Sequence, residues 1–280
     1  MWIVDNVHFY IGSSALDWLM VNQMKDIGVA VYNCSCVAED LQKIFQLYWM
    51  LTETDSSIPT NWPTALQTSI SKEVPLSVDV NETYTQLYIS NSPQLLCPEG
   101  RSSDIDSILD IISKAKRYIY ISVMDYMPIM CHNHNLRYWS ILDAALRQAA
   151  IDRRVSIKIL VSDWNKTHPS MFYFLKSLLA LNSTLIHIDV RLFIMPIVSK
   201  RPYPPSPRVN RNSFMITERT LYISTFGWSG DNFLNMAGVG LVIDQSQNGT
   251  MNHQPIKQQF QSVFERDWTS SYAHTLSEIG

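Results

Sequence analysis

The alternation of apolar and polar positions predicts helices and strands that follow one another along most of the chain. Residues 37–51 carry Leu41, Ile44 and Phe45 at helical spacing, which predicts a helix with one apolar face. Further helices are predicted over 103–116, 138–151, 169–181 and 254–267, and strands over 117–126, 155–164, 188–196, 208–217, 220–225 and 238–244. Because these strands are almost continuously apolar, the sheet should be covered on both faces, which gives an α/β fold.

Two stretches near opposite ends of the chain share one order of features. Residues 3–18 (IVDNVHFYIGSSALDW) and 216–230 (ITERTLYISTFGWSG) each contain a strand, an acidic residue, a turn, a Tyr-Ile strand, small residues and a Trp, and a Gly-Val strand follows each. The shared order predicts two related halves, with chance matching of short β-rich segments as the alternative. We expect a partial first half over 1–51, a connection over 52–96 and a complete second half over 97–275.

Composition narrows the functional classes. Hydrophobic residues make up 46% and charged residues 17%, which is typical of a globular protein. The net charge of −3 argues against a broad basic surface for nucleic acid, so any groove for a polyanion must be local. No apolar run reaches the roughly 18–20 residues that span a bilayer, and the first residues do not have the pattern of a signal peptide.

Five Asn-x-Ser/Thr sequons favour a glycoprotein of the secretory pathway; they lie at Asn33, Asn81, Asn165, Asn182 and Asn248. The four cysteines do not have Cys-x-x-Cys spacing, so no metal site is predicted. The run Cys-His-Asn-His at 131–134 lies in a polar stretch and is expected to be a solvated loop. Sequons without a signal peptide indicate a fragment or a shortened gene model of a longer protein.

The stretch 208–228 (RVNRNSFMITERTLYISTFGW) places Arg211 and Ser213 two residues apart and Glu218 five further on. With the earlier copy, it resembles the paired His-x-Lys-x4-Asp motifs of the phospholipase D superfamily, in the animal branch of types three, four and five. The segments YNCSC, CPEGR, AGVGLV and FERDW extend the resemblance over essentially the whole chain. It implies a phospholipase D-like fold of two related halves, one site at their junction, and neither metal nor other cofactor.

The chemistry implied by the resemblance needs two histidines. A neutral imidazole attacks the phosphodiester to give a phosphohistidine, and a second His protonates the leaving oxygen and later activates water. A Lys beside each His offsets charge on the phosphate oxygens, and the carboxylate orients a His ring. Positions 211 and 213 would share one face of a strand, so both side chains would point into the cleft.

The second motif, within 206–232, departs from this requirement. Arg211 stands at the His position, where a permanently protonated side chain is neither nucleophile nor base. Ser213 replaces the Lys, whereas Glu218 preserves the acid. The small-residue stretch that follows reads Ser224, Thr225 and Gly227 and lacks the family's Asn.

The first motif, within 1–18, is reduced to its later residues. Asp5 holds the acid position, and Ala15 stands where the family has Asn. Counting back from Asp5 puts the Lys immediately before Met1 and the His two residues earlier.

We therefore expect a catalytically inactive relative that acts as a lumenal binding or scaffold protein. The alternative is a phosphodiesterase, either a 5′ exonuclease on single-stranded nucleic acid or a phospholipid hydrolase, whose longer form carries the first motif. Arg211 either pairs with Glu218 or binds a phosphate, and Thr225 is a second candidate for substrate binding. Single-stranded nucleic acid and phospholipid head groups are the ligands that the resemblance implies, and a homodimer stays open.

The resemblance also has implications for where the protein resides in the cell and for how its cysteines pair. It implies a single membrane anchor upstream of Met1 and residence in the lumen of the endoplasmic reticulum, Golgi or lysosome. It further implies that Cys34 and Cys36 pair with cysteines upstream, and Cys97 with one near the C-terminus. Those partners are not in this sequence, so free thiols are predicted at all three positions.

Overall fold

The computed structural model describes residues 1–15, 17–18, 23–53, 57–132, 135–196, 208–245 and 254–279. The strands are β1 (Trp2–Val4), β2 (His8–Gly12), β3 (Met24–Lys25), β4 (Gly28–Val31), β5 (Leu76–Val80), β6 (Thr83–Ser92), β7 (Ser102–Ser103), β8 (Tyr118–Val123), β9 (Tyr126–Met127), β10 (Ile129–His132), β11 (Asn135–Tyr138), β12 (Ser156–Ser162), β13 (Ile188–Phe193), β14 (Val209–Asn210), β15 (Phe214–Thr217), β16 (Thr220–Ser224), β17 (Trp228–Ser229), β18 (Gly238–Gln245) and β19 (Ala273–Thr275). The helices are α1 (Ser35–Met50), α2 (Asp104–Lys114), α3 (Ile141–Asp152), α4 (Ser170–Leu179), α5 (Gly230–Asn235), α6 (Ile256–Trp268) and α7 (Leu276–Ile279), with 3₁₀ turns at Thr64–Leu66 and Gln94–Leu96.

A ten-stranded mixed sheet forms the centre of the molecule. Its order is β19-β13-β12-β8-β15-β16-β18-β6-β5, with β7 beside β6. Strands β8, β12 and β13 are parallel, and the crossovers between them contain α3 and α4. From β15 to β5 the neighbours are antiparallel. The five long helices begin and end within three residues of their predicted bounds, and the α/β prediction is confirmed.

Helix α2 shows why the sequence folds as predicted. The Ser103 hydroxyl accepts a hydrogen bond from the backbone N–H of Asp106, which satisfies one of the unpaired donors of the first turn. Ile108, Ile111 and Ile112 recur on one face and are buried against the sheet. The cap and the apolar stripe together determine where the helix starts and which side it buries.

The internal repeat is confirmed by strand pairing. In the first copy β1 and β2 form an antiparallel hairpin, and β4 pairs with β2. In the second copy β15 and β16 form the corresponding hairpin, and β18 pairs with β16. Asp5 lies in the turn of the first hairpin and Glu218 in the turn of the second. The first copy forms a separate three-stranded sheet, whereas the second lies inside the large one.

Two apolar layers cover the large sheet. On one face the strands pack against α2, α3 and α4, with Ile121 and Leu146 among the buried side chains. On the other face they pack against the three-stranded sheet together with α1 and α6, where Ile11, Phe214 and Phe264 meet. The second layer joins the two halves, so both halves depend on one shared core.

The segment 52–96, predicted to be a connection between the halves, contains two strands of the large sheet. Residues 76–92 form the β5–β6 hairpin, and β6 pairs with β18 from Thr85 to Ser92. Asn81 and Glu82 have φ angles of 50° and 62°, as a two-residue turn between twisted strands requires. The segment forms strands, and not only a connection, because Leu87 and Ile89 alternate with polar residues. This alternation buries one face of β6 in the shared core.

A buried ion pair ties the first half to the second. The Arg101 guanidinium makes a bidentate contact with the Asp40 carboxylate, with Nη2 2.8 Å from Oδ1. Asp40 also accepts a hydrogen bond from the Thr68 hydroxyl at 2.6 Å. Gly100 precedes the arginine with a φ of 82°, and a Cβ there would collide with the backbone oxygen of Thr68. Asp40 belongs to α1, so this pair fixes that helix against the loop before α2.

The described thiols of Cys34, Cys36 and Cys97 are free, and the sulfurs of Cys34 and Cys36 lie 3.8 Å apart. Within the described ranges, no helix combines the length and apolar character that crossing a bilayer requires.

Candidate functional site

The degenerate second motif lies at the edge of the large sheet that the strand ends form, not on an edge strand. Strand β8 runs towards this edge, and Ser122 near its end pairs with Phe214 at the start of β15. Strand β16 ends here as well, where Ser224 pairs with Gly240. The segments 211–213 and 225–227 therefore lie side by side at the strand ends, and the backbone N–H of Ser224 donates to the Ser213 carbonyl at 2.9 Å.

The predicted strand 208–217 is interrupted immediately before this edge. The Asn210 side-chain oxygen accepts a hydrogen bond from the backbone N–H of Asn212 at 3.3 Å, a local turn that competes with strand geometry. Strand β14 consequently leaves the large sheet and pairs in parallel with β3, with Asn210 opposite Lys25. The backbone N–H of Arg211 donates to the Lys25 carbonyl at 2.8 Å. The His position of the motif thus lies where the two halves meet.

Ser213 is built into a closed hydrogen-bond network. Its hydroxyl oxygen lies 2.6 Å from that of Ser224 and donates to the Phe226 carbonyl. The side chain is buried, so the Lys position of the motif presents no cation to a ligand. Arg211, by contrast, is partly exposed.

Glu218 lies at the other end of β15. Five extended residues from Ser213, at about 3.3 Å each, separate the two positions by roughly 15 Å. The Glu218 carboxylate accepts hydrogen bonds from the backbone N–H groups of Lys116 at 2.8 Å and Arg117 at 3.3 Å. The extended strand between them and the backbone partners of Glu218 argue against the alternative that Arg211 pairs with Glu218. For the same reason Glu218 cannot orient a side chain at position 211.

Lys25 is a functional candidate that the sequence did not reveal. Its ammonium group lies 2.6 Å from Asp267 Oδ2 and 3.4 Å from Asn210 Oδ1. Burial lowers the pKa of Lys25, while the charge of Asp267 opposes that shift. The contact to Asn210 spans 185 positions, so no local pattern could have indicated it.

The remaining motif positions have structural partners. The Thr225 hydroxyl accepts a hydrogen bond from the backbone N–H of Val239 at 3.1 Å, and its role in substrate binding stays a prediction. In the first copy, Ser13 donates to Asp26 at 2.8 Å and is buried. Asp5 is exposed in the turn of its hairpin. Among the described residues, no group of three or more His, Cys, Asp or Glu side chains is arranged to hold a metal ion.

Comparison with known proteins identifies the family. A family model described as "PLD3/4, PLD-like domain" matches residues 1–198. The chain is 45% identical over 281 aligned residues to a Xenopus laevis protein named 5′-3′ exonuclease PLD3, covering 99% of this chain and 57% of that protein. It is 42% identical to the mouse protein named 5′-3′ exonuclease PLD4, covering 98% of this chain and 55% of that one. The chain belongs to the phospholipase D superfamily, in its PLD3/4 branch.

The solved structures agree on the fold. The crystal structure of a phosphatidylserine synthase from Haemophilus influenzae matches 98% of this chain and 63% of its own length, with a TM-score of 0.58 and 10% identity. That level of identity supports the phospholipase D fold alone. The chain spans little more than half the length of the PLD3 and PLD4 relatives above.

The glycosylation sequons that lie among the described residues are accessible to solvent. Asn33, Asn81, Asn165 and Asn182 are exposed and lie in turns or at the ends of elements, whereas Asn248 is outside the described residues. In the run 131–134, Cys131 and His132 belong to β10, which forms a hairpin with β11, so the expectation of a loop is wrong for these two residues; residues 133 and 134 lie outside the described residues.

We expect the full-length protein from cells to carry glycans at Asn81, Asn165 and Asn182, because each residue is exposed at the surface. Treatment with a glycan-removing enzyme should lower its apparent mass on a gel. Asn165→Gln and Asn182→Gln should each remove one step of that shift, while Asn61→Gln, an exposed asparagine outside any sequon, should leave it unchanged. A band that does not move would contradict lumenal residence.

Proposed function

We propose that this chain is a catalytically inactive member of the phospholipase D superfamily that binds single-stranded nucleic acid in the secretory lumen. The observation that carries the proposal is the pair Arg211 and Ser213 at the junction of the halves. A fixed guanidinium cannot accept the proton or form the phosphohistidine that the family's reaction requires. Ser213 is committed to Ser224 and Phe226, so its hydroxyl offers no charge to a developing oxyanion.

The same substitutions suit binding without turnover. A planar guanidinium can contact two phosphate oxygens at once, whereas an imidazole cannot. Arg211 lies at the strand ends and is partly exposed, so a phosphate can approach it. The relatives named as 5′-3′ exonucleases favour a nucleic acid over a phospholipid head group as the source of that phosphate.

A binding and turnover assay with one 5′-phosphorylated single-stranded oligonucleotide tests the proposal. We expect binding by fluorescence anisotropy and no release of nucleotides above a blank. Arg211→Ala should weaken binding by about tenfold, the size of a lost charge-assisted contact. Arg219→Ala is the matched control, because Arg219 is exposed beyond the opposite end of β15 and pairs with Asp244. Turnover that Arg211→Ala abolishes would overturn the proposal.

Restoring the second motif alone should not restore activity. In the double variant Arg211→His with Ser213→Lys of residues 1–280, the segment tested carries no His and Lys ahead of Asp5, since residues 1–4 contain neither. The family's reaction needs one His as nucleophile and another as acid, so the expected turnover stays at the blank. Measurable hydrolysis by this variant would show that another residue supplies the missing group.

A further inference from the structure

A cleft of about 290 Å³ opens beyond the ends of β8 and β12, beside the degenerate motif. Trp164, Met124 and Met171 contribute to its apolar wall. Asp125, Lys166 and His168 are among its polar groups. The volume lies near the lower end of the roughly 300–1,000 Å³ of ligand pockets, which suits a single flat ring system.

The carboxylate of Asp125 is unusual in a cleft with an apolar wall. Its side chain is partly buried, and no hydrogen bond from a described residue to its carboxylate contributes to its electrostatics. Burial alone raises its pKa, which is the consequence of withdrawing a carboxylate from water without a partner. A ligand that brings N–H groups would satisfy it.

The position of the Asp125 carboxylate depends on Gly227, the last member of the small-residue stretch that follows the second motif. A Cβ at position 227 would lie 2.7 Å from Asp125 Oδ2, so any side chain there would displace the carboxylate. The surrounding backbone is held in place, because Trp228 N–H donates to the Asp125 carbonyl at 3.0 Å and Asn232 donates to the Gly227 carbonyl at 2.6 Å. The absence of a side chain at position 227 therefore provides the space that this carboxylate occupies.

We propose that this cleft binds a guanine base of the single-stranded ligand, with the Asp125 carboxylate accepting both N–H groups of its Watson–Crick edge. The inference rests on the proposed function for the nature of the ligand. Guanine presents adjacent N1–H and N2–H donors that match the two oxygens of a carboxylate. Adenine and cytosine offer one amino group beside a ring acceptor, and the N3–H of uracil or thymine is flanked by two carbonyl oxygens. The Trp164 ring and the methionine thioethers provide faces for stacking.

The hydrogen-bond donors of the cleft suit the phosphate that accompanies the base. His168 Nδ1 accepts a hydrogen bond from the backbone N–H of Ser170 at 3.2 Å, so the neutral ring carries its proton on Nε2 and can donate. Lys166 lies near the Trp164 ring, with Nζ 5.9 Å from its centroid. Asp231, which also lines the cleft, accepts a hydrogen bond from Asn235 at 3.0 Å and is thus already partnered.

Calorimetric titration with guanosine, inosine and adenosine 5′-monophosphates tests the inference. We expect guanosine monophosphate to bind roughly ten- to a hundredfold more tightly than adenosine monophosphate, the discrimination that a bidentate base contact provides. Inosine monophosphate, which lacks the 2-amino group, should bind with intermediate affinity. Asp125→Asn should remove the preference, since an amide presents one acceptor and one donor.

Two further variants make the result specific. Gly227→Ala keeps Asp125 but displaces its carboxylate, so it should also reduce the preference for guanine. Asp110→Asn, a surface change in α2 that affects only the pair with Lys114, should leave it unchanged. Thermal melting of each variant shows whether a loss reflects unfolding.

The outcomes separate this inference from the proposed function. Equal affinity for the three mononucleotides, or a preference that survives Asp125→Asn in a folded protein, would overturn the guanine site. Oligonucleotide binding without base preference would overturn the inference and leave the proposed function standing. A guanine preference without any oligonucleotide binding would contradict the proposed function and support the guanine site.

Discussion

Replacing Arg101 with leucine is expected to lower the free energy of unfolding by about 3–5 kcal/mol, because it leaves the Asp40 carboxylate buried without its partner. Both side chains are almost fully inaccessible, at 0% and 3% exposure, so water cannot take the place of the guanidinium. The Thr68 hydroxyl remains but does not offset a full charge. Urea unfolding followed by circular dichroism measures the change.

The matched control for this variant is Lys114→Ala. Lys114 pairs with Asp110 at the surface, and such pairs contribute about 0–1 kcal/mol. The double variant Asp40→Leu with Arg101→Leu should be less destabilised than the sum of the two single changes, because neither charge is left alone. A loss under about 1 kcal/mol for Arg101→Leu, or strict additivity in the double variant, would show that the pair does not hold the halves together.

The stability of the protein should fall as pH rises from about 4 to 6, and Asp104 should account for part of that fall. Burial raises the pKa of Asp104 from 3.8 to about 6, against the opposing hydrogen bond from the Ser90 hydroxyl. The folded state then binds the proton more tightly than the unfolded state, so stability is greater at acidic pH and decreases as the folded carboxyl ionises. A shift of this size corresponds to roughly 3 kcal/mol.

Denaturant unfolding at pH 4, 5, 6 and 7 tests this expectation. Asp104→Asn should flatten the dependence relative to the unmodified protein, since an amide does not titrate. Asp110→Asn in the same helix is the control and should leave the slope in place, because that side chain is partly exposed and paired with Lys114. Parallel stability curves for the protein and its Asp104→Asn variant would refute the assignment.

The sequence predicts those parts of the fold that depend on local pattern. Helix α2 follows from a capping serine and an isoleucine stripe, and the two hairpins follow from a repeated order of strand, acid and strand. The β5–β6 hairpin was missed because its flanking segment is polar and rich in turn residues, although β6 itself alternates. The break before β15 was missed because it depends on one side-chain contact between Asn210 and Asn212.

For the candidate site, the motif spacing singles out Arg211, which bonds to Lys25 of the first half, and it gives no indication of what surrounds that residue. Lys25 reaches Asn210 only through the pairing of β3 with β14. The Asp125 carboxylate meets Gly227 across about a hundred residues of chain, through the pairing of β9 with β17. Such contacts arise from the packing of distant strands, so periodicity and spacing cannot reveal them.

The placement of the motif at a sheet edge has an evolutionary consequence. Phe214, Ile216 and Ile223 are fully buried in the shared core, so selection for folding alone restricts what a lineage can place there. Arg211 lies a few residues away at the solvent-facing end of the same hairpin, where a new side chain disturbs little packing. Substitutions at position 211 can therefore accumulate while the scaffold stays intact, so the same strand end can acquire side chains with different binding or chemical properties.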